Sequence, residues 1–240
     1  MSVRRLAPAA VQPAEFAFSA ANADWAKGQI AKYPAGRQAS AVIPLLWRAQ
    51  EQAGGWVSQK TIEHVAKVLG MPNIRVLEVA TFYTMFNLAP VGKYHVQLCG
   101  TTPCMLCGAE AIRQVCRERI GPERQVTADG KFSWIEVECL GACCNAPMVQ
   151  INDDFYEDLT PNNFRALLDS LAAGRAVKQG SQTGRQGSMA SGGQTTLNDA
   201  ALFDGSLNNA WRKAFDERFF KAAEVKKAAD AAKAAQPVKV

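Results

Sequence analysis

The sequence predicts an α/β protein in which a short N-terminal helical bundle precedes a β-α-β-β-β-α domain, a linker and a C-terminal amphipathic helix. Apolar residues recur at helical spacing from Phe16 to Leu88, and strand-like alternation begins at Lys93. All seven cysteines lie in the stretch from Tyr94 to Ile151. We therefore divide the chain into a loose N-terminal arm (1–14), a helical subdomain (15–90), a cysteine-bearing domain (91–174), a flexible linker or extended arm (175–199) and a C-terminal helical extension (200–240).

The composition is ordinary for a globular protein. With 240 residues, 48% apolar and 20% charged, the chain has room for one substantial domain or a domain with a smaller partner. No run of about 18 apolar residues is present, so we expect no membrane insertion. The first residues lack the apolar stretch of a secretory signal, and Arg4 and Arg5 alone are weak grounds for an organelle transit peptide. In a reducing compartment, an odd number of clustered cysteines favours metal binding or redox work over disulfides.

The net charge of +5 is confined to one end of the chain. Residues 175–240 carry eleven Lys and Arg against six Asp and Glu, whereas residues 1–174 carry sixteen of each. The cysteine-bearing domain is therefore not basic. We expect no nucleic-acid partner for it.

Four short helices are predicted before the first strand. They cover 22–33, which Pro34 ends, then 38–52, 59–69 and a last helix from Pro72 to Tyr83. Ser58 is a suitable N-cap for the third helix, and Gly70 a suitable stop. His64 in that helix and His95 in the first strand have no partner at metal-binding spacing. We expect both histidines to be packing or surface residues.

The cysteine-bearing domain is predicted to alternate strands and helices. Strands are expected at 94–98, 132–138, 148–152 and 155–159, with helices at 109–119 and from Pro161 to Leu171. The crossover between the first two strands is long enough to make them parallel neighbours. This order is that of a thioredoxin-like domain.

The remaining segments are less regular. Residues 174–198 are rich in Gly, Ser, Gln and Thr, which predicts a flexible linker or an arm lying on a partner. Beyond them, apolar side chains recur every four residues in an amphipathic helix that should dock on another surface: Leu207, Trp211, Phe215 and Phe219.

Two tight cysteine pairs, Cys99/Cys104 and Cys139/Cys143, are the candidate cofactor ligands. Cys99 and Cys139 each follow a predicted strand, and parallel strands bring both pairs to one edge of the sheet. Cys104 lies near a helix N-terminus, where thiolate is favoured. Small residues in both loops allow backbone N–H groups to approach sulfur. This spacing favours an iron–sulfur cluster held by the two pairs.

Other interpretations of the cysteines stay open at this point. A structural zinc site with four cysteines is chemically reasonable, although Cys99-x4-Cys104 is loose for zinc. Cys104-x2-Cys107 is a thioredoxin-type redox spacing, and Cys99-x4-Cys104-x2-Cys107 copies that of plant-type ferredoxins. Disulfides would require an oxidising compartment. On the two-pair interpretation Cys107, Cys116 and Cys144 are not ligands, and Cys116 belongs to the core.

Longer motifs resemble a known family. The segments are Cys99-Gly-Thr-Thr-Pro-Cys104-Met-Leu, the run from Glu136 to Asn152 around Cys139-Leu-Gly-Ala-Cys143-Cys144, Tyr156-Glu-Asp-Leu159, Glu78-Val-Ala-Thr-Phe-Tyr-Thr-Met-Phe86 and Pro90-Val-Gly-Lys-Tyr-His95. Together they are similar to the small 2Fe–2S subunit of respiratory complex I. The resemblance covers about residues 15–197. Cys107 and Cys144 stand where the family pattern leads us to expect other residues, and residues from about 202 onward have no family counterpart.

The resemblance implies a thioredoxin-like fold and one 2Fe–2S cluster on Cys99, Cys104, Cys139 and Cys143. It implies an electron-transfer role in the NADH dehydrogenase module of complex I, in which a partner subunit binds FMN and NADH. The adjacent large iron–sulfur subunit is the second expected partner. The implied location is the peripheral arm at the cytoplasmic face of a bacterial inner membrane, or the matrix side in a mitochondrion. The equivalent subunit of a NAD-linked hydrogenase or formate dehydrogenase is the nearest alternative.

No catalytic residue is assigned to this chain itself. It contains neither a Gly-x-Gly-x-x-Gly motif after a strand nor a Gly-x4-Gly-Lys-Ser/Thr motif. FMN and NAD are therefore expected on the partner subunit.

Overall fold

The structure is a computed structural model that describes residues 4–189, 192–193, 195–202 and 217. It divides the chain into two units, Met1–Ser188 and Met189–Val240. In the second unit the described residues include one 3-10 turn, Ala200–Leu202. The predicted amphipathic stripe of Leu207, Trp211, Phe215 and Phe219 lies outside the described residues.

Four helices precede the first strand: α1 (Ala20–Ile30), α2 (Val42–Gln52), α3 (Gln59–Leu69) and α4 (Asn73–Phe82). Helix α3 begins and ends where the sequence predicts. The Ser58 side chain accepts a hydrogen bond from Thr61 N, and Gly70 adopts the left-handed conformation with φ of 64°. The predicted second helix begins with a 3-10 turn, Gln38–Ala41. Apolar side chains of all four helices form one buried cluster that includes Leu45, Val65 and Val76.

Residues 4–14, expected to be a loose arm, instead lie against these helices. The Arg4 guanidinium donates hydrogen bonds to the carbonyls of Thr81 (3.2 Å), Tyr83 (2.8 Å) and Phe86, at and beyond the end of α4. Ala7 N donates to Leu88 O at 2.8 Å, and the Ala7 side chain is buried. A cation at the carbonyl end of a helix satisfies oxygens that have no intrahelical partner. The arm is therefore held from Arg4 onward.

The cysteine-bearing part is a mixed α/β fold. Its elements are β1 (Tyr94–Cys99), α5 (Thr102–Leu106), α6 (Ala109–Arg119), β2 (Phe132–Val137), β3 (Val149–Ile151), β4 (Asp154–Glu157), α7 (Pro161–Ala172) and β5 (Gly180–Ser181). They build a five-stranded sheet in the order β2-β1-β3-β4-β5. The predicted parallel pairing of the first two strands is confirmed, while β3 runs antiparallel to β1 and β4.

Helices α6 and α7 share one core with the sheet. Val96 and Leu98 of β1 are fully buried against Ile112 of α6 and Phe164 of α7. The buried Trp134 also satisfies its polar group, because its Nε1 donates to Gly121 O at 2.8 Å. This packing fixes the ends of β1 and β2, from which the cysteine loops depart.

Strand β5 lies in the segment expected to be a linker or an arm on a partner. It is two residues long and pairs in parallel with β4, Tyr156 opposite Gly180 and Glu157 opposite Ser181. Ser181 is buried. Residues 180–181 therefore extend the chain's own sheet.

Among the described residues, no helix combines the length and the apolar character that crossing a membrane requires.

Candidate metal centre

The parallel strands β1 and β2 bring the two cysteine loops to one edge of the sheet. Cys99 is the last residue of β1 and pairs in register with Val137, the last residue of β2. Cys139 follows two residues later. Both chains therefore leave the sheet side by side, which is the arrangement that the sequence predicts.

Cys99 and Cys104 form the buried half of the site. Each is 1% exposed, and they pack with Ala109 and Met148 in a small cluster separate from the main core. Cys104 lies in the first turn of α5, and its thiol is hydrogen-bonded to Cys99. Burial, with that hydrogen bond, raises the pKa of Cys104 to about 12. Burial also opposes ionisation of Cys99, but hydrogen bonds from the Thr101 side chain and from backbone N–H groups outweigh it and lower the pKa of Cys99.

Cys139 and Cys143 form the exposed half. Their Sγ atoms lie 3.4 Å apart, and both residues are exposed. The Gly141 N–H and the Cys143 thiol donate to Cys139 and lower its pKa, while that same hydrogen bond to Cys139 raises the pKa of Cys143. In each pair, hydrogen bonding thus favours the thiolate of one cysteine and disfavours that of the other. Metal binding requires the thiolate form of both.

Hydrogen bonds tie the two halves together. The Thr101 hydroxyl lies 3.4 Å (Oγ1 to Sγ) from Cys99 and is also hydrogen-bonded to Cys139, so one hydroxyl group contacts a sulfur of each pair. From the other loop, the Leu140 N–H donates to Cys99, and the Met148 N–H donates to Cys104. Donors of this kind stabilise thiolates and, around a cluster, help to set its potential. Sequence reasoning valued Thr101 only for its size, because spacing alone does not show where a hydroxyl points.

The other three cysteines occupy different settings. Cys116 on α6 is fully buried in the main core, as expected, and burial raises its pKa to about 12. Cys107 directly follows helix α5, and Cys144 lies in the 3-10 turn Cys143–Asn145; both are exposed.

The four clustered thiols fit a binuclear iron site. In the part of the chain that the structure describes, no group of three or more His, Cys, Asp and Glu side chains is arranged to hold a single metal ion. In a 2Fe–2S cluster each iron takes two thiolates. The two hydrogen-bonded pairs, Cys99/Cys104 and Cys139/Cys143, match that donor set.

The two histidines make packing contacts. His64 Nε2 accepts a hydrogen bond from Phe18 N at 3.2 Å and lies edge-on to the Phe16 and Phe18 rings. His95 is buried, with Nδ1 2.9 Å from Ser133 Oγ.

Comparison with known proteins gives a consistent picture. The model of the thioredoxin-like 2Fe–2S ferredoxin family matches residues 26–172. An E-type subunit of NADH-quinone oxidoreductase from Rhizobium meliloti is 57% identical over 201 residues, which are 82% of this chain and 73% of that protein. The E-type subunit of NADH-quinone oxidoreductase from Rickettsia bellii is 55% identical over 157 residues, which are 65% of this chain and 94% of that protein.

Solved structures show weaker likeness. A thioredoxin-like 2Fe–2S ferredoxin from Aquifex aeolicus is 21% identical with a TM-score of 0.30, over 39% of this chain and 97% of that one. A NAD+-reducing [NiFe]-hydrogenase in the H2-reduced state is 21% identical with a TM-score of 0.47, over 54% of this chain and 22% of that one. Neither adds to what the family match and the relatives establish.

Proposed function

This chain belongs to the thioredoxin-like 2Fe–2S ferredoxin family, and we propose that Cys99, Cys104, Cys139 and Cys143 are the ligands of its one 2Fe–2S cluster. The observation that carries this proposal is the convergence of the two cysteine pairs at one sheet edge, where Thr101 is hydrogen-bonded to a sulfur of each pair. Such a cluster supplies single-electron transfer.

The chain is an electron-transfer subunit of the NADH dehydrogenase module of NADH:quinone oxidoreductase. Relatives at 52–57% identity are named as E-type subunits of NADH-quinone oxidoreductase, and the chain spans 73% of the Rhizobium meliloti protein. It thus acts as part of an oxidoreductase whose catalytic site lies on another chain.

We further propose that the electron donor is FMN on an NADH-binding partner subunit, and that the adjacent large iron–sulfur subunit is a second partner. Support comes from the sequence, which contains neither of the two nucleotide-binding motifs named above. The assembly would then lie at the cytoplasmic face of a bacterial inner membrane.

The two cysteine pairs differ in solvent exposure, and this difference indicates the side of the site at which electrons enter or leave. Cys99 and Cys104 are each 1% exposed, whereas Cys139 and Cys143 are exposed. The protein therefore screens one side of the site and leaves the other open. We expect the partner subunit to approach on the side of Cys139 and Cys143.

Low-temperature EPR on the purified full chain, before and after dithionite reduction, tests the proposal. Iron and sulfide are assayed on the same sample. The expected result is a signal of one unpaired electron that appears on reduction, with about two irons and two sulfides per chain. An anaerobically prepared sample that contains zinc and gives no signal would refute it.

A second experiment addresses residues 200–240, proposed to dock on a neighbouring subunit. Deleting them should weaken assembly of the NADH dehydrogenase module and leave the EPR spectrum of the isolated chain unchanged. Normal assembly of the truncated chain would contradict this docking role.

A further inference from the structure

Asp158, just after strand β4, is the centre of a dense hydrogen-bond group. The Arg185 guanidinium binds both of its carboxylate oxygens, with Nε 3.0 Å from Oδ2. Ser181 Oγ donates to Oδ2 at 2.6 Å, and Thr183 Oγ1 is 3.4 Å from the same atom. The two charged side chains are only 19% and 11% exposed. A bidentate ion pair that is largely buried fixes the relative position of its two side chains more firmly than a solvent-exposed pair does.

The same group reaches the exposed cysteine loop. Arg185 Nη2 donates to the Cys144 carbonyl at 3.0 Å, across 41 residues of sequence. Asn145 Nδ2 donates to Gly187 O at 2.7 Å and to the Glu157 carboxylate, and Asn145 is 2% exposed. Asp158 N in turn donates to Asn145 O at 2.8 Å. The 3-10 turn Cys143–Asn145 is thus held from one side by β4 and from the other by residues 181–187.

We propose that residues 181–187 act as a clasp for the loop that carries Cys143, and that Arg185 is its positioning residue. The inference rests on the proposed function, since it assigns Cys143 as a ligand. Cys143 is exposed and follows residues 138–142, which form neither helix nor strand. Regular secondary structure before it therefore does not fix its position. Arg185 supplies this positioning, because its guanidinium binds both the Asp158 carboxylate and the carbonyl of Cys144, the residue after Cys143. Cys99, at the end of a strand, needs no such support.

The test compares the full-length chain with Arg185→Gln, Arg185→Lys and the control Arg175→Gln. Arg175 lies on the segment that leads to β5, is exposed, and donates to Ser170 Oγ at 3.2 Å. Loss of iron to a chelator is followed in anaerobic protein. Arg185→Gln should lose iron roughly 10-fold faster than wild type, as is typical when a residue that orients a ligand is removed. Arg185→Lys should fall between them, because an ammonium cannot bond the carboxylate and the carbonyl in one planar fork.

A second readout does not need the cluster. In cluster-free protein, the alkylation rate of each cysteine is measured by mass spectrometry. In Arg185→Gln, the alkylation rate of Cys143 should differ from that in wild type. The alkylation rate of Cys99 should be unchanged. A variant that merely destabilised the whole fold would change both together. If Arg185→Gln does not accumulate as folded protein, Ser181→Ala, which removes one hydrogen bond to Asp158, is expected to change the same rates to a smaller extent.

The outcomes separate this proposal from the proposed function. If Arg185→Gln and Arg175→Gln lose iron at the same rate and their Cys143 is alkylated at the same rate, the proposed role of Arg185 is wrong. The 2Fe–2S assignment would be unaffected by that result. Wild-type protein without a 2Fe–2S cluster would overturn the assignment, and the alkylation comparison would still decide whether Arg185 orders the loop.

Discussion

Cys99 pairs in register with Val137 across the parallel strands β1 and β2, so the chain that reaches Cys139 leaves the sheet beside the one that reaches Cys104. Forty residues of sequence separate Cys99 from Cys139, yet a single strand pairing brings their loops together. The hydrophobic packing of α6 and α7 on the sheet holds this pairing in place. The site thus depends on the fold more than on local loop structure.

The first prediction concerns ligand identity. Changing Cys99, Cys104, Cys139 or Cys143 to Ser should abolish or strongly disturb the EPR signal of the reduced cluster, because each substitution removes one of the four proposed thiolate ligands. Cys107→Ser and Cys116→Ser are the matched controls and should keep the signal, since Cys116 is in the core and Cys107 is outside both pairs. An unaltered spectrum in Cys143→Ser would instead point to Cys107 or Cys144 as the fourth ligand.

Much of this site could be predicted because its determinants are local. Helix α6 has the bounds that its apolar spacing predicts, and Ser58 and Gly70 delimit α3 as expected. The crossover length between β1 and β2 was enough to predict parallel strands, and with them the meeting of the two cysteine pairs. Each of these features follows from residues within a few positions of one another or from a general rule of chain connection.

The features that were missed depend on contacts between distant residues. Strand β5 is two residues long and pairs through its backbone, so its sequence carries no alternating pattern. Arg185 reaches Cys144 across 41 residues, and Arg4 reaches Tyr83 across 79. The sequence around an arginine in a Gly- and Ser-rich segment does not indicate which distant carbonyl the guanidinium will bind. Such contacts are decided by the completed fold.

The second prediction concerns Thr101, whose hydroxyl contacts sulfurs of both pairs. Thr101→Val keeps the side-chain shape and removes the donor. A hydrogen bond to sulfur favours the more negative, reduced cluster, so its loss should lower the reduction potential. One bond of about 0.5–1.5 kcal/mol corresponds to roughly 20–60 mV for a single electron. EPR-monitored redox titration measures the shift.

Thr102→Val is the matched control for that measurement. Thr102 is the next residue, is exposed, and is not among the groups that donate to the four sulfurs in the described structure. Its potential should equal that of wild type. If Thr101→Val and Thr102→Val have the same reduction potential, the Thr101 hydroxyl does not help to set the potential of the cluster.

The third prediction concerns Gly92, where the link from the helical part enters the sheet. A Cβ atom there would lie 2.4 Å from the Phe132 carbonyl carbon and 2.7 Å from Ser133 N, both backbone atoms of β2. Gly92 N also donates to Ser133 Oγ at 2.9 Å. Gly92→Ala should therefore lower the free energy of unfolding by about 3 kcal/mol, since strand backbone cannot move aside.

Gly28→Ala provides the contrast. Gly28 lies on α1, and an added Cβ would meet nothing within 4 Å. This substitution should raise the free energy of unfolding by about 0.5 kcal/mol, because alanine is the better helix former. Urea titrations of the two variants measure both changes. Equal stability of Gly92→Ala and wild type would show that the approach of residue 92 to β2 is not close in solution.

The last prediction concerns the dependence of stability on pH. His95 is 8% exposed, and burial lowers its pKa to about 4 from the 6.5 of an accessible histidine. Between these values the unfolded chain binds a proton that the folded chain does not, so the free energy of unfolding decreases as the pH falls from about 6.5 to about 4. Above pH 6.5 the histidine is neutral in both states and contributes no pH dependence. The full decrease is about 3 kcal/mol, at 1.36 kcal/mol per pKa unit.

His95→Gln isolates this contribution, because glutamine keeps a polar group near Ser133 Oγ and does not titrate. Urea unfolding of wild type and variant is measured at several pH values between 7 and 4. The stability difference, wild type minus variant, should be constant down to about pH 6.5 and then fall by about 3 kcal/mol toward pH 4. Groups that the two proteins share, including acid-sensitive cluster ligands, cancel in this difference. A difference that stays constant to pH 4 would mean that the His95 ring is accessible to protons in the folded protein.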